Sequence, residues 1–197
     1  LRISFEGSNR AQQNTMKGVQ QGSYISIMLI FSLLALQFRS YLQPIIVMSA
    51  IPFGIVGAVM GHYLLGFTLS LVSVLGMVAL SGIVVNDSLI MVDFINRFRE
   101  QGHRLSEAVL EAGVRRFRPI VLTTLTTFFG LMPMMFETSR QARFLIPMTI
   151  SLAFGVLFAT FITLFLVPVF YSVLNDLMVL FGQQKREVMN KASISSD

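Results

Sequence analysis

The sequence predicts an all-α integral membrane protein of five transmembrane helices, with a short strand at its N-terminus. Three observations lead there. The 197 residues are 54% hydrophobic and 13% charged, where an average soluble protein is about 25% charged. Asp, Glu, Lys and Arg are absent from residues 18–38, 40–86, 119–136 and 144–175, which together hold 118 residues. A bilayer core about 30 Å thick takes about 20 apolar residues per helix, so four such runs exceed what a soluble core of this size holds. These runs lack the polar–apolar alternation of a barrel strand, and backbone polar groups in lipid must be satisfied within the segment, so the spans are helices.

The elements follow in order. Leu1-Arg2-Ile3-Ser4-Phe5-Glu6-Gly7 alternates apolar and polar residues and reads as one strand. A lone strand is not stable, so residues 1–18 read as the end of a larger domain. The first span covers about 19–38. The 47-residue run at 40–86 is too long for one span and fits two, near 43–65 and 69–95, with a turn at Gly66. The fourth covers 119–136 and the fifth 144–174. Between the third and fourth, Leu105, Ala108, Val109, Ala112 and Phe117 share a face, and Glu107, Glu111 and Arg115 stand one turn apart. This segment, 105–117, reads either as an interfacial helix or as a solvated connector. Residues 176–197 are polar and Ser-rich and are expected to be a disordered cytoplasmic tail.

Charge sets the orientation. Arg39, the six arginines of loop 96–118 and Lys185, Arg186 and Lys191 fall on one side, ten in all, against five on the other (Arg2, Arg10, Lys17, Arg140, Arg143). The ten-residue side is predicted cytoplasmic, with the N-terminus periplasmic and the C-terminus inside. The net charge of +5 is thereby a topological signal, and nucleic acid is not expected as a partner.

The sequence has no cysteine, which excludes disulfides, zinc fingers, iron–sulfur clusters and thiol catalysis. It has no G-x-S-x-G or H-E-x-x-H motif, and an intramembrane aspartyl protease needs two mid-membrane acids where only Asp87 qualifies. The chain is expected not to be an enzyme and to hold no cofactor or metal. Met132, Met134 and Met135 read as adaptable packing, and His62 as an ordinary residue near the outer face.

Asp87 is the most informative residue. A carboxylate about eight residues inside a span usually faces a bundle interior or a wet cavity. It reads either as a hydrogen-bonded structural acid or as an ion-coupling group. On the same span Ser70, Ser73, Gly76, Ala79, Gly82 and Asn86 recur every three or four residues. Ser73, Gly76 and Gly82 are therefore expected to let another helix approach closely. Asp93, at the membrane edge, is expected to pair with Arg97. Thr123, Thr124, Thr126 and Thr127 cluster in the fourth span, and either bond their own backbone or line a hydrated proton path. Pro44 and Pro119 suit helix starts, while Pro52, Pro133, Pro147 and Pro168 imply kinks.

Leu36-Gln37-Phe38-Arg39-Ser40 with Pro44, then Ile51-Pro52-Phe53-Gly54 and Gly57-Ala58, resembles the resistance-nodulation-division (RND) efflux transporters. So do Ala79-Leu80-Ser81-Gly82-Ile83-Val84-Val85-Asn86-Asp87, Val92-Asp93-Phe94, and Arg116-Phe117-Arg118-Pro119-Ile120 with Thr123 and Thr124. The match runs in order over about residues 1–175. It implies a fold of twelve spans in two pseudo-symmetric halves, of which these would be the last five. It also implies a homotrimer in the bacterial inner membrane, driven by proton influx and joined by a periplasmic adaptor and an outer-membrane channel. The central carboxylate pair of such transporters lies in the other, N-terminal half. Many drug exporters of the family carry Lys where this sequence has Asn86, so charge pairing is lost there and Asp87 is a candidate to compensate. Asp87, Asn86, Arg116 and Thr123 are the proton-relay candidates. The alternative function is a non-transport membrane module, such as a protein-export auxiliary or a sterol-sensing-like bundle.

Overall fold

In a computed structural model of the protein, the backbone is described for residues 2–194 and the side chains for residues 13–140 and 142–173. Six helices follow one another: α1 (Arg2–Phe38), α2 (Leu42–Met48), α3 (Ile51–Leu65), α4 (Leu71–Glu100), α5 (Leu105–Met135) and α6 (Arg140–Ile194). No strand occurs among the described residues.

One expectation fails at the N-terminus. The N-terminal strand is absent, and residues 2–7 instead open α1. An alternating heptapeptide has no intrinsic hold on the extended form without a neighbouring strand, and here it continues the helix that follows. At the other end α6 runs to Ile194.

Four segments are long and apolar enough to cross a membrane: Gln13–Phe38, Leu42–Leu65, Leu71–Glu100 and Ala142–Val173. The expected fourth span, 119–136, falls in the second half of α5 and is not one of these four. The expected connector helix at 105–117 is continuous with it, because Pro119 does not break α5. Ala108 and Ala112 are fully buried in the same cluster as Met91, Val92 and Ile95 of α4, so α4 and α5 form a long antiparallel hairpin. Asp93 and Arg97 pair as expected at 2.9 Å, and Glu111 pairs with Arg115.

The second span is split. α2 ends at Met48 and α3 begins at Ile51, next to Pro52, which lacks the N–H that would continue the ladder. Ser49 Oγ donates to the Ile46 carbonyl at 2.6 Å and keeps a hydroxyl from being orphaned at this break. The turn at Gly66 is found as expected. Gly66 adopts φ 71°, and the N–H groups of Gly66 and Phe67 bond back to Tyr63 and His62, a Schellman closure that favours glycine. Ser70 then caps α4, its Oγ accepting from the Ser73 N–H while Ser73 Oγ accepts from Ser70 N–H.

α6 is the axis against which α3, α4 and α5 pack, whereas α1 touches mainly α2. Close approach is set by small residues. A side chain at Gly57 would strike Phe158, and Gly155 lies against Leu80. Gly76 stands where an added carbon would sit 2.8 Å from the Met148 carbonyl and 2.9 Å from Ser151. Gly76 and the fully buried Ser73, whose carbonyl accepts from Ser151 Oγ at 3.0 Å, meet the packing role expected of them. Gly82 makes no such contact among the described residues: nothing lies within 4 Å of its missing side chain. It faces outward because α6 occupies the face of α4 that carries Leu80 and Val84, about half a turn's rotation away from Gly82.

His62 is also not where the sequence put it. It is 2% exposed, its Nδ1 lies 2.9 Å from the Ala58 carbonyl and its Nε2 2.9 Å from Ser73 Oγ. With Nδ1–H donating to the carbonyl and Nε2 accepting from the serine hydroxyl, a neutral ring is fully satisfied.

Candidate functional site

The relay candidates lie along the α4–α5 hairpin. Arg116 places its guanidinium carbon 5.0 Å from the centroid of the Phe94 ring, a cation–π contact. Phe94 in turn stacks on Phe98, and Phe98 on His103. Arg116 Nε is buried without a hydrogen-bond partner among the described residues. Seven residues back along α4 from Phe94 is Asp87, and seven residues forward along α5 from Arg116 is Thr123. Both steps lead away from the 101–104 turn, toward the opposite end of the hairpin.

Asp87 is half-buried and makes no hydrogen bond or ion pair with any described residue. Asp87 and Arg116, both relay candidates, form no ion pair with one another. Asn86 is exposed beside Ala79 and Gly82, so these three form a small, polar stripe on an uncovered face of α4. Thr123 is exposed and donates to the carbonyls of Pro119 at 3.1 Å and Ile120 at 2.9 Å. Thr126 does the same toward Leu122 and Thr123. Own-backbone bonding thus describes both threonines.

Thr124 differs. It is buried, and its Oγ1 lies 2.8 Å from Thr160 Oγ1 of α6. Thr124→Val is expected to lower stability by about 0.6 kcal/mol, the average worth of such bonds between membrane helices. Detergent unfolding followed by circular dichroism checks this, and a Thr160→Val partner variant should add little beyond it.

Sequence reading missed a polar junction where α2, α4 and α6 meet. Gln43 and Asn96 exchange two amide bonds, at 3.1 and 2.9 Å. Gln43 Nε2 also donates to Tyr171 Oη at 3.2 Å, and Tyr171 donates to Asn96 Oδ1. Only charged residues were used to mark the spans, and these three are neutral. Their presence at the ends of apolar runs was the available signal. No group of three or more metal-ligating side chains occurs among the described residues.

A family model described as the AcrB/AcrD/AcrF family matches residues 1–175. The chain belongs to this family. These are the RND efflux permeases to which the motifs at Asn86-Asp87 and Arg116–Thr123 pointed. The multidrug resistance protein MdtC of Proteus mirabilis (strain HI4320) is 31% identical over 186 residues, covering 94% of this chain and 18% of that protein. A heavy metal efflux pump, solved in two crystal forms, is 27% identical. Form II covers 87% of this chain and 17% of the pump at a TM-score of 0.74, and form I covers 85% and 16% at 0.66. The chain therefore spans less than a fifth of the length of these relatives. Membership and the four apolar spans make it a membrane-embedded efflux-family protein.

Proposed function

We propose that this chain is the C-terminal membrane portion of a proton-driven efflux permease of the bacterial inner membrane, with five spans and Asp87 as its titratable group. The observation that carries the reading is the setting of Asp87: a carboxyl well inside a span, unpaired among the described residues and beside an uncovered stripe of Ala79, Gly82 and Asn86. A carboxylate facing lipid costs roughly 2.5–3.5 kcal/mol on insertion scales. The stripe supports a different neighbour, the N-terminal half of the transporter, whose helices would cover it and bring their own acids to Asp87. The homotrimer, periplasmic adaptor and outer-membrane channel belong to the same proposal. The relatives named for multidrug resistance and heavy metal efflux support export as the activity, with drugs or metal ions as cargo classes. The test is drug and metal tolerance of an efflux-deficient bacterium expressing the full-length gene product. Raised tolerance is expected, and unchanged tolerance at verified expression contradicts the proposal.

The proposed orientation has its own check. A cysteine at Gln101, in the arginine-rich turn between α4 and α5, is expected to resist membrane-impermeant thiol reagents in intact cells and to react after permeabilisation. Labelling in intact cells would invert the topology. If the rest of the gene product contains cysteines, they are first replaced; this segment has none.

A further inference from the structure

A cavity of about 600 Å³ opens at the arginine-rich end of the bundle, beside the Gln43–Asn96–Tyr171 junction. Its wall carries Arg39, Arg97 and Arg99 against Asp93 and Glu100. The amide–phenol junction satisfies itself, so it forms a fixed floor and leaves the charged groups to meet a ligand. Arg97 is held by Asp93 at 2.9 Å, whereas Arg39 and Arg99 have no ion pair among the described residues. Arg97 and Arg99 suit the C-terminal end of α4 on dipole grounds alone. Arg39 has no such account. It lies outside any helix at φ 49°, the one non-glycine with positive φ among the described residues. Left-handed backbone disfavours a residue with a side chain, so an arginine there points to a use for its guanidinium.

Arg39 also lines a second cavity of about 530 Å³, walled by Phe31, Ala35, Leu36 and Tyr41. Phe31, Ala35 and Leu36 climb α1 from Arg39 into the apolar span. A basic, polar chamber at the membrane edge thus adjoins an apolar groove running into the hydrocarbon, with one arginine between them. We propose that this pair of cavities binds one anionic glycerophospholipid, its phosphate between Arg39 and Arg99 and an acyl chain along Phe31, Ala35 and Leu36. Basic pockets between helices at a membrane edge bind such headgroups. The inference rests on the chain being membrane-embedded and not on its transporting anything.

Native mass spectrometry of the detergent-purified full-length product, titrated with dioleoyl-phosphatidylglycerol or dioleoyl-phosphatidylcholine, tests it. The expected result is preferential retention of phosphatidylglycerol. Arg39→Gly suits the left-handed backbone and removes the guanidinium with its stem, and should weaken that retention about fivefold, as should Arg99→Gln. Arg118→Gln, an arginine outside the cavity, should leave it unchanged. Circular dichroism and elution volume establish that each variant is folded, and Arg99→Gln carries the test if Arg39→Gly is not. Equal retention of both lipids, or an equal loss in Arg118→Gln, would overturn the site. Displacement of the lipid by millimolar inorganic phosphate would overturn the lipid in favour of a free anion.

Discussion

Asp87→Asn is expected to lower export by the full-length protein on the order of tenfold or more, with folding and expression intact, because it deletes a titratable group placed inside a span. Asparagine is nearly isosteric with aspartate and removes only the ability to gain and lose a proton. No bond within this chain is broken by the change, since Asp87 has no hydrogen-bond or ion-pair partner among the described residues. Thr123→Ala is expected to do much less, because the Thr123 hydroxyl serves carbonyls of its own helix at 3.1 and 2.9 Å. Drug or metal efflux from loaded cells, at matched expression, measures both. If Asp87→Asn exports at the wild-type rate, Asp87 only packs.

Gly57→Ala is expected to be the most damaging of the conservative changes to the fold. An added methyl would strike the Phe158 side chain and stand 2.8 Å from the Phe154 carbonyl, which is backbone and cannot swing away. α3 and α6 would have to separate along the contact that organises the bundle, at about 1–3 kcal/mol by the usual cost of overpacking. Gly82→Ala, with nothing within 4 Å, should stay within about 0.5 kcal/mol when this segment is measured by itself. Unfolding in a detergent–denaturant series, followed by circular dichroism, ranks the two. Equal midpoints would mean that α3 and α6 do not approach as closely as described.

The contrast between these glycines shows what was legible in the sequence. The spans could be read from charge-free runs, the turn at Gly66 from its residue type, and the Asp93–Arg97 pair from its spacing. Which face of a span is buried could not be read, because lipid-facing and packed faces are alike apolar. The small-residue stripe was therefore read along all of α4, although only Ser73 and Gly76 meet α6. The tighter contacts, at Gly57 and Gly155, went unremarked. The burial of His62 is illegible for the same reason, since its partners Ala58 and Ser73 are brought to it by the α3–α4 turn. Of the relay candidates, the sequence named residues that share one hairpin. It could not foresee that Arg116 would rest on Phe94 instead of on a carboxylate.

The most direct test of the account is proton movement itself. The full-length protein is reconstituted in vesicles with a trapped pH-sensitive dye and an imposed pH gradient, and substrate is added. Wild-type protein is expected to show substrate-stimulated proton flow down the gradient, and Asp87→Asn to lose that stimulation while binding substrate normally. Stimulated proton flow in Asp87→Asn equal to wild type would contradict the assignment of Asp87 as the coupling group.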